Sequence, residues 1–238
     1  MIYVICGFLF GCLIPYLSRR LGKLISYPAG YVLLKIFVPV HALSFNKLKD
    51  NPQYMQLFYR YLMRSVGWGI FCAAMSWLFV ECFDNLFIGW YMAFLWILLL
   101  LVEVDKRFML LPDVLTLPLL ILGFGYAALN GNWLITPEPE IMSAGFNSFM
   151  GATFGYVMPT VASVFIVWKY PDAFGGGDIK LLAAIGAWVG MEAIAYVILL
   201  SCIIFAAQCL IAKQKAGAFG PAIVYATLIL QIFLQGFE

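Results

Sequence analysis

Histidine is nearly missing from this chain. Its 238 residues hold one, His41, with no nucleophile beside it in sequence. A lone histidine is more often structural than catalytic, which argues against a Ser-His-Asp triad and excludes a two-histidine zinc motif. Cysteine occurs at Cys6, Cys12, Cys72, Cys82, Cys202 and Cys209, never as a C-x-x-C pair, so no zinc knuckle is indicated. All six lie in or beside apolar runs, where cysteine behaves as a small hydrophobe. There is no Walker loop and no dinucleotide fingerprint. Charge is scarce as well: 11% of residues are charged, against ~25% in an ordinary soluble domain.

What fills the chain is apolar. Hydrophobic residues make up 64% of it, and several runs approach the roughly 20 residues that span a bilayer. Spans are expected near 1–17, 66–83, 86–104, 114–129, 143–168, 181–190, 191–212 and 217–235. The piece 181–190 is too short to cross alone. It reads either as a half-helix continuous with the segment before it or as a tilted start of the next span. The expected fold is an all-α polytopic membrane protein of about eight transmembrane helices. Residues 1–65 form an N-terminal span with a cytoplasmic or interfacial loop, and residues 66–238 a transmembrane core.

The basic residues orient these spans. Arg19, Arg20, Lys23, Lys35, Lys47, Lys49, Arg60 and Arg64 form one group, followed by Lys106 and Arg107, Lys169 and Lys180, and Lys213 and Lys215. The alternate connections carry acids instead: Glu81 and Asp84, then Glu138 and Glu140, then Glu192. By the positive-inside rule the basic loops are cytoplasmic and both termini face outward. The first run has no basic residues before it and reads as an N-out anchor rather than a cleaved signal. Topology thus accounts for the net charge of +2 without nucleic acid. Within the long cytoplasmic stretch, Pro52 to Arg64 shows an apolar face and a basic edge suited to an anionic leaflet.

Two carboxylates stand at the ends of apolar runs, both on the cytoplasmic side. Asp178 follows the glycines of Phe174-Gly175-Gly176-Gly177-Asp178-Ile179-Lys180, and Asp105 lies in Val102-Glu103-Val104-Asp105-Lys106-Arg107. A carboxylate near membrane depth is costly and marks a use. Glycine reaches φ > 0 and admits close backbone approach, so the run before Asp178 suits an extended peptide. Hydrolysing a peptide without metal or nucleophile needs a base for water and an acid for the carbonyl. Two adjacent carboxylates sharing one proton supply both and titrate as a unit. The competing readings are an N-cap for Asp178, and for Asp105 a helix-end acid paired with Lys106 or Arg107. Glu103 lies about 200° around the helix from Asp105 and faces away. Asp113 reads as a cap for the next span and stands as a secondary candidate.

These residues resemble the type IV prepilin peptidases, membrane aspartyl proteases of the GxGD group. DKRFMLLPDVLTLPLL, residues 105–120, is similar to the family's D-x6-P-D stretch and its apolar helix. FGGGDIKLLAAIGAWVG, residues 174–190, is similar to GxGDxKLLAxxGAxxG, and Phe219-Gly220-Pro221 is a weaker match. The resemblance implies Asp105 and Asp178 as the catalytic pair, with Gly175, Gly177 and Lys180 in the active-site loop at the cytoplasmic side. It implies a bacterial inner-membrane enzyme that removes the short basic leader of type IV prepilins or type II secretion pseudopilins, cutting after a glycine. No cofactor is implied for that reaction. Many members also methylate the new N-terminus with S-adenosylmethionine, and many carry two C-x-x-C zinc pairs in the first cytoplasmic loop. Residues 18–65 contain no cysteine, so no metal is expected there, and S-adenosylmethionine enters only where methylation occurs.

Three alternatives stand beside this. Presenilin-like proteases share GxGD but carry YD and PAL motifs, where this chain has Val104-Asp105 and Phe219-Gly220-Pro221. A transporter with broken helices would also hold intramembrane glycines and acids. A non-catalytic assembly scaffold would not need both aspartates.

Overall fold

The computed structural model describes residues 1–24, 31–32, 35, 52–82, 88–130, 141–167, 175–213 and 217–235. Among these the structure is helical, with no strand. An apolar chain in lipid must bond its backbone polar groups within each segment, which a helix does. The chain divides into two compact units, Met1–Glu81 and Cys82–Glu238.

The first unit contains α1 (Ile2–Leu24) and all but the last residue of α2 (Pro52–Cys82). They pack through small residues: Gly7 and Gly11 face Ser76, Cys72 and the Trp68 carbonyl, a close approach typical of membrane helices. The amphipathic stretch from Pro52 to Arg64 is the first half of α2 and runs into the apolar half without a break. The expected boundary at 65/66 therefore falls inside a continuous helix, and the compact units divide at 81/82.

The second unit holds α3 (Ile88–Phe108), α4 (Asp113–Asn130), α5 (Ile141–Val167), α6 (Gly176–Ala212) and α7 (Gly220–Gln235). Among the described residues four helices, α1, the Met55–Cys82 part of α2, α3 and α6, are long and apolar enough to cross a membrane; α4 and α7 contain shorter apolar helices. The core forms around Trp188 of α6, which stacks on Tyr126 of α4 and meets Phe94 of α3. Its indole N–H donates to the Leu119 carbonyl at 2.8 Å. Tyr91 and Tyr126 share a buried hydroxyl–hydroxyl hydrogen bond.

The segments expected as 181–190 and 191–212 are two limbs of one element. α6 breaks at Gly190, whose φ of 81° and ψ of 177° are non-helical. A straight helix would carry Phe205 about 40 Å from Asp178. Yet Phe205 packs edge-on against Phe219, with ring centroids 5.1 Å apart. Phe219 precedes Gly220, which is bonded to Asp105, itself within electrostatic range of Asp178. The second limb therefore turns back at Gly190. Seven described helices thus supply the eight apolar stretches read from the sequence. From Leu181 to Gly190 every residue of the first limb is buried, as expected of a helix that is apolar all round.

Candidate active site

Asp105 sits in the last turn of α3. That helix stops at Met109, which takes φ 50° and donates its N–H to the Asp105 carbonyl at 2.8 Å. A short turn leads to Pro112, whose carbonyl accepts the N–H groups of Leu115 and Thr116 and so opens α4. The D-x6-P-D spacing is therefore one helix end, a tight turn and the next helix start. Asp105 is buried, 4% exposed. Its Oδ2 accepts the Gly220 N–H at 2.9 Å. A Cβ on Gly220 would lie 2.6 Å from that same oxygen, so only glycine permits the contact.

Asp178 is the third residue of α6. The N-cap position belongs to Gly175, in extended conformation (φ −78°, ψ 130°), with no side-chain cap bond. Asp178 donates its own N–H to the Gly175 carbonyl at 3.1 Å. Its carboxylate is thus free of the capping duty that was the competing reading. The charges of Asp105 and Asp178 act on each other across the site, so the fold brings the two sequence candidates together.

The glycines before Asp178 work differently from expectation. Gly176 and Gly177 are the first residues of α6, and among the described glycines only Gly190 has positive φ. Their value is space. A Cβ on Gly177 would stand 2.9 Å from the Leu111 Cβ, and one on Gly175 would stand 3.1 Å from Asp178 Oδ2. At Gly176 nothing lies within 4 Å. The closeness concerns neighbouring side chains and the turn before α4, not a left-handed backbone.

The remaining candidates have defined partners. Lys180 Nζ contacts both carboxylate oxygens of Asp113, at 2.7 and 2.8 Å, clasping the start of α4 to the first turn of α6. Both side chains are about half exposed, at 47% and 51%, so this pair contributes little energy but fixes a register. Glu103, buried at 1% exposure, accepts from Arg107 Nε at 2.6 Å. Lys106 donates to the Tyr225 hydroxyl at 2.7 Å. Lys106 and Arg107, either of which the competing reading paired with Asp105, thus contact other groups. Tyr225 is a site residue that the sequence reading does not name, and Gly220 is named there only within Phe219-Gly220-Pro221, without a role.

The six cysteines are free, and among the described residues no three His, Cys, Asp or Glu side chains gather as metal ligands. The residues present do not fit a cysteine-bound zinc.

Comparison with known proteins places this arrangement. The profile of the type IV leader peptidase family matches residues 92–210, half of the chain, which includes Asp105 and Asp178. A prepilin leader peptidase/N-methyltransferase of Vibrio cholerae is 32% identical over 176 residues, 71% of this chain and 64% of its own. The protein of that name from Aeromonas hydrophila is 39% identical over 110 residues, 46% of this chain and 34% of its own. That from Pseudomonas aeruginosa is 35% identical over 141 residues, 55% and 44% of the two chains. The chain matches less than two thirds of the length of these curated relatives. No solved structure matches it. The chain belongs to the type IV leader peptidase family.

Proposed function

We propose that this chain is a membrane aspartyl endopeptidase that removes the basic leader of type IV prepilins or type II secretion pseudopilins, cutting after a glycine. The observation that carries this reading is the buried Asp105 carboxylate within electrostatic range of Asp178, both inside the family match. One carboxylate takes a proton from water as its oxygen attacks the scissile carbonyl carbon. The other donates its proton to the carbonyl oxygen, giving a gem-diol. Collapse of the diol breaks the C–N bond: the carboxyl that took the water proton gives it to the leaving amine, and the other carboxylate takes back a hydroxyl proton of the diol as the product carboxyl forms. Each group begins the next cycle as it began the last, with no metal and no covalent intermediate.

The distribution of basic residues supports a site on the cytoplasmic side, and the family supports a bacterial inner membrane as its setting. Lipid is then a standing partner and the pilin precursor the substrate. S-adenosylmethionine belongs to the reaction only if the new amine is methylated, an activity in the relatives' names. The test is cleavage of a purified prepilin by the reconstituted protein. Wild type should release the leader, while Asp105→Asn and Asp178→Asn, still inserted in the membrane, should lose it by orders of magnitude. Near wild-type cleavage by either variant would end the dyad.

A further inference from the structure

The break in α6 is held by two adjacent residues of α5. In an unbroken helix the Met191 N–H would bond the Ala187 carbonyl. Here the Met191 N–H donates to Asn147 Oδ1 at 3.0 Å. The Ala187 carbonyl accepts from Ser148 Oγ at 2.5 Å. Each half of that link has a side-chain partner instead. Broken backbone inside a membrane protein persists only where such partners exist. Gly190 supplies the positive φ of 81° that the break requires. Just beside it the backbones of α5 and α6 touch: a Cβ on Gly151 or Gly186 would collide with the carbonyl of the other.

These contacts define a fixed bend rather than a hinge. The limb from Gly176 to Val189 is clamped at its far end by Ser148 and the Trp188–Leu119 bond, Asn147 holds Met191 just across the break, and the limb carries Asp178 at its near end. Asp178 lies twelve residues from Gly190, a lever of about 18 Å. A tilt of about 10° at the break would displace the carboxylate by roughly 3 Å along that lever. Misplacement of about 1 Å can cost on the order of a hundredfold in rate.

We infer that Asn147 and Ser148 are positioning residues for the dyad: by bonding the two halves of the opened Met191–Ala187 link they set the direction of the limb that presents Asp178 to Asp105. The inference rests on the peptidase reading for its kinetic consequence, but its geometric part can be measured without any activity. The two parts therefore fail separately.

Two measurements on the full-length protein in membranes test it. In the first, Asp113→Cys and Lys180→Cys are placed in a background whose six native cysteines are alanine, and a short bifunctional thiol reagent reports whether the first turn of α6 stays beside α4. Cross-linking should be efficient, should fall with Asn147→Leu, and should return with Asn147→Asp, which keeps an oxygen acceptor. The second is prepilin cleavage without the introduced cysteines. Asn147→Leu should lower kcat by at least about tenfold with KM within about twofold, and Asn147→Asp should restore most of it. Ser148→Ala, the loss of one hydroxyl, should act in the same direction and serves where Asn147→Leu does not accumulate. Unchanged cross-linking and unchanged kcat in Asn147→Leu and Ser148→Ala would overturn the inference. If wild type cleaves no prepilin while cross-linking still follows Asn147, the peptidase reading fails and the positioning role stands.

Discussion

The backbone amide of Gly220 donates to Oδ2 of Asp105 at 2.9 Å, tying the first residue of α7 to the last turn of α3. An amide hydrogen bond fixes both the rotamer of the carboxylate and the direction of its free oxygen. It also makes residue 220 part of the site although its side chain is a hydrogen atom.

Gly220→Ala should therefore behave as an active-site substitution. The new Cβ would lie 2.6 Å from Oδ2, so either the carboxylate or the start of α7 must move. Leader cleavage should fall on the order of a hundredfold, as expected for misaligned reacting groups, while membrane insertion is retained. Gly217→Ala is the control, since an added Cβ there meets only Phe205 at 3.9 Å. Equal activity of the two variants would show that the bond does not matter to catalysis.

The glycine run makes a graded prediction. Gly177→Val pushes a branched side chain into Leu111, and Gly175→Val pushes one against the Asp178 carboxylate. Gly176 faces open space. Cleavage should drop strongly for the first two and much less for Gly176→Val, where the main cost is the lower helix propensity of a β-branched residue, below about 1 kcal/mol. Three harmless variants would make the segment a plain linker.

Much of the site is legible in the sequence because it is local. Asp105, Asp178 and the glycines stand in short motifs at fixed spacing, and the apolar runs report helices directly. The distribution of lysine and arginine predicts both aspartates on one side of the membrane. What stays hidden depends on contacts between distant segments. The sequence divides 181–190 from 191–212 at Gly190 but does not show how the two limbs are held, because the partners Asn147 and Ser148 lie some forty residues earlier. The reason for each glycine is hidden too, because a need for φ > 0 and a need for space look the same in sequence. Pro52 to Arg64 reads as an interfacial helix because its amphipathic pattern is real, yet nothing after Pro52 stops the helix before Cys82.

The neighbouring acids should separate from the dyad. Asp113→Asn loosens a half-exposed ion pair with Lys180, a contact of the kind worth about 0–1 kcal/mol, and should keep substantial activity. Glu103→Gln leaves the partly buried Arg107 without its charged partner. It should lower the yield of folded protein while activity per folded molecule is retained. Titrating intact protein by limited proteolysis alongside cleavage distinguishes the two effects. Loss of turnover in fully folded Asp113→Asn would shift the catalytic assignment toward that residue.

The last prediction concerns what the chain does without. Leader cleavage should be indifferent to zinc chelators, thiol alkylation and serine-directed inhibitors, since none of their targets takes part in the proposed steps. Its rate should depend on pH as a bell, because the dyad works with one proton: it loses its base when both carboxylates are protonated and its acid when both are ionised. Methyl transfer is decided separately. The relatives bear N-methyltransferase in their names, whereas residues 18–65 here hold no cysteine for a zinc-bound loop. If that loop is needed for methylation, the processed pilin should leave this enzyme with a free N-terminal amine, even when S-adenosylmethionine is supplied. Mass spectrometry of the mature N-terminus gives the answer. A gain of one methyl group that requires both this protein and S-adenosylmethionine would show that the transfer does not depend on the cysteine-bearing loop.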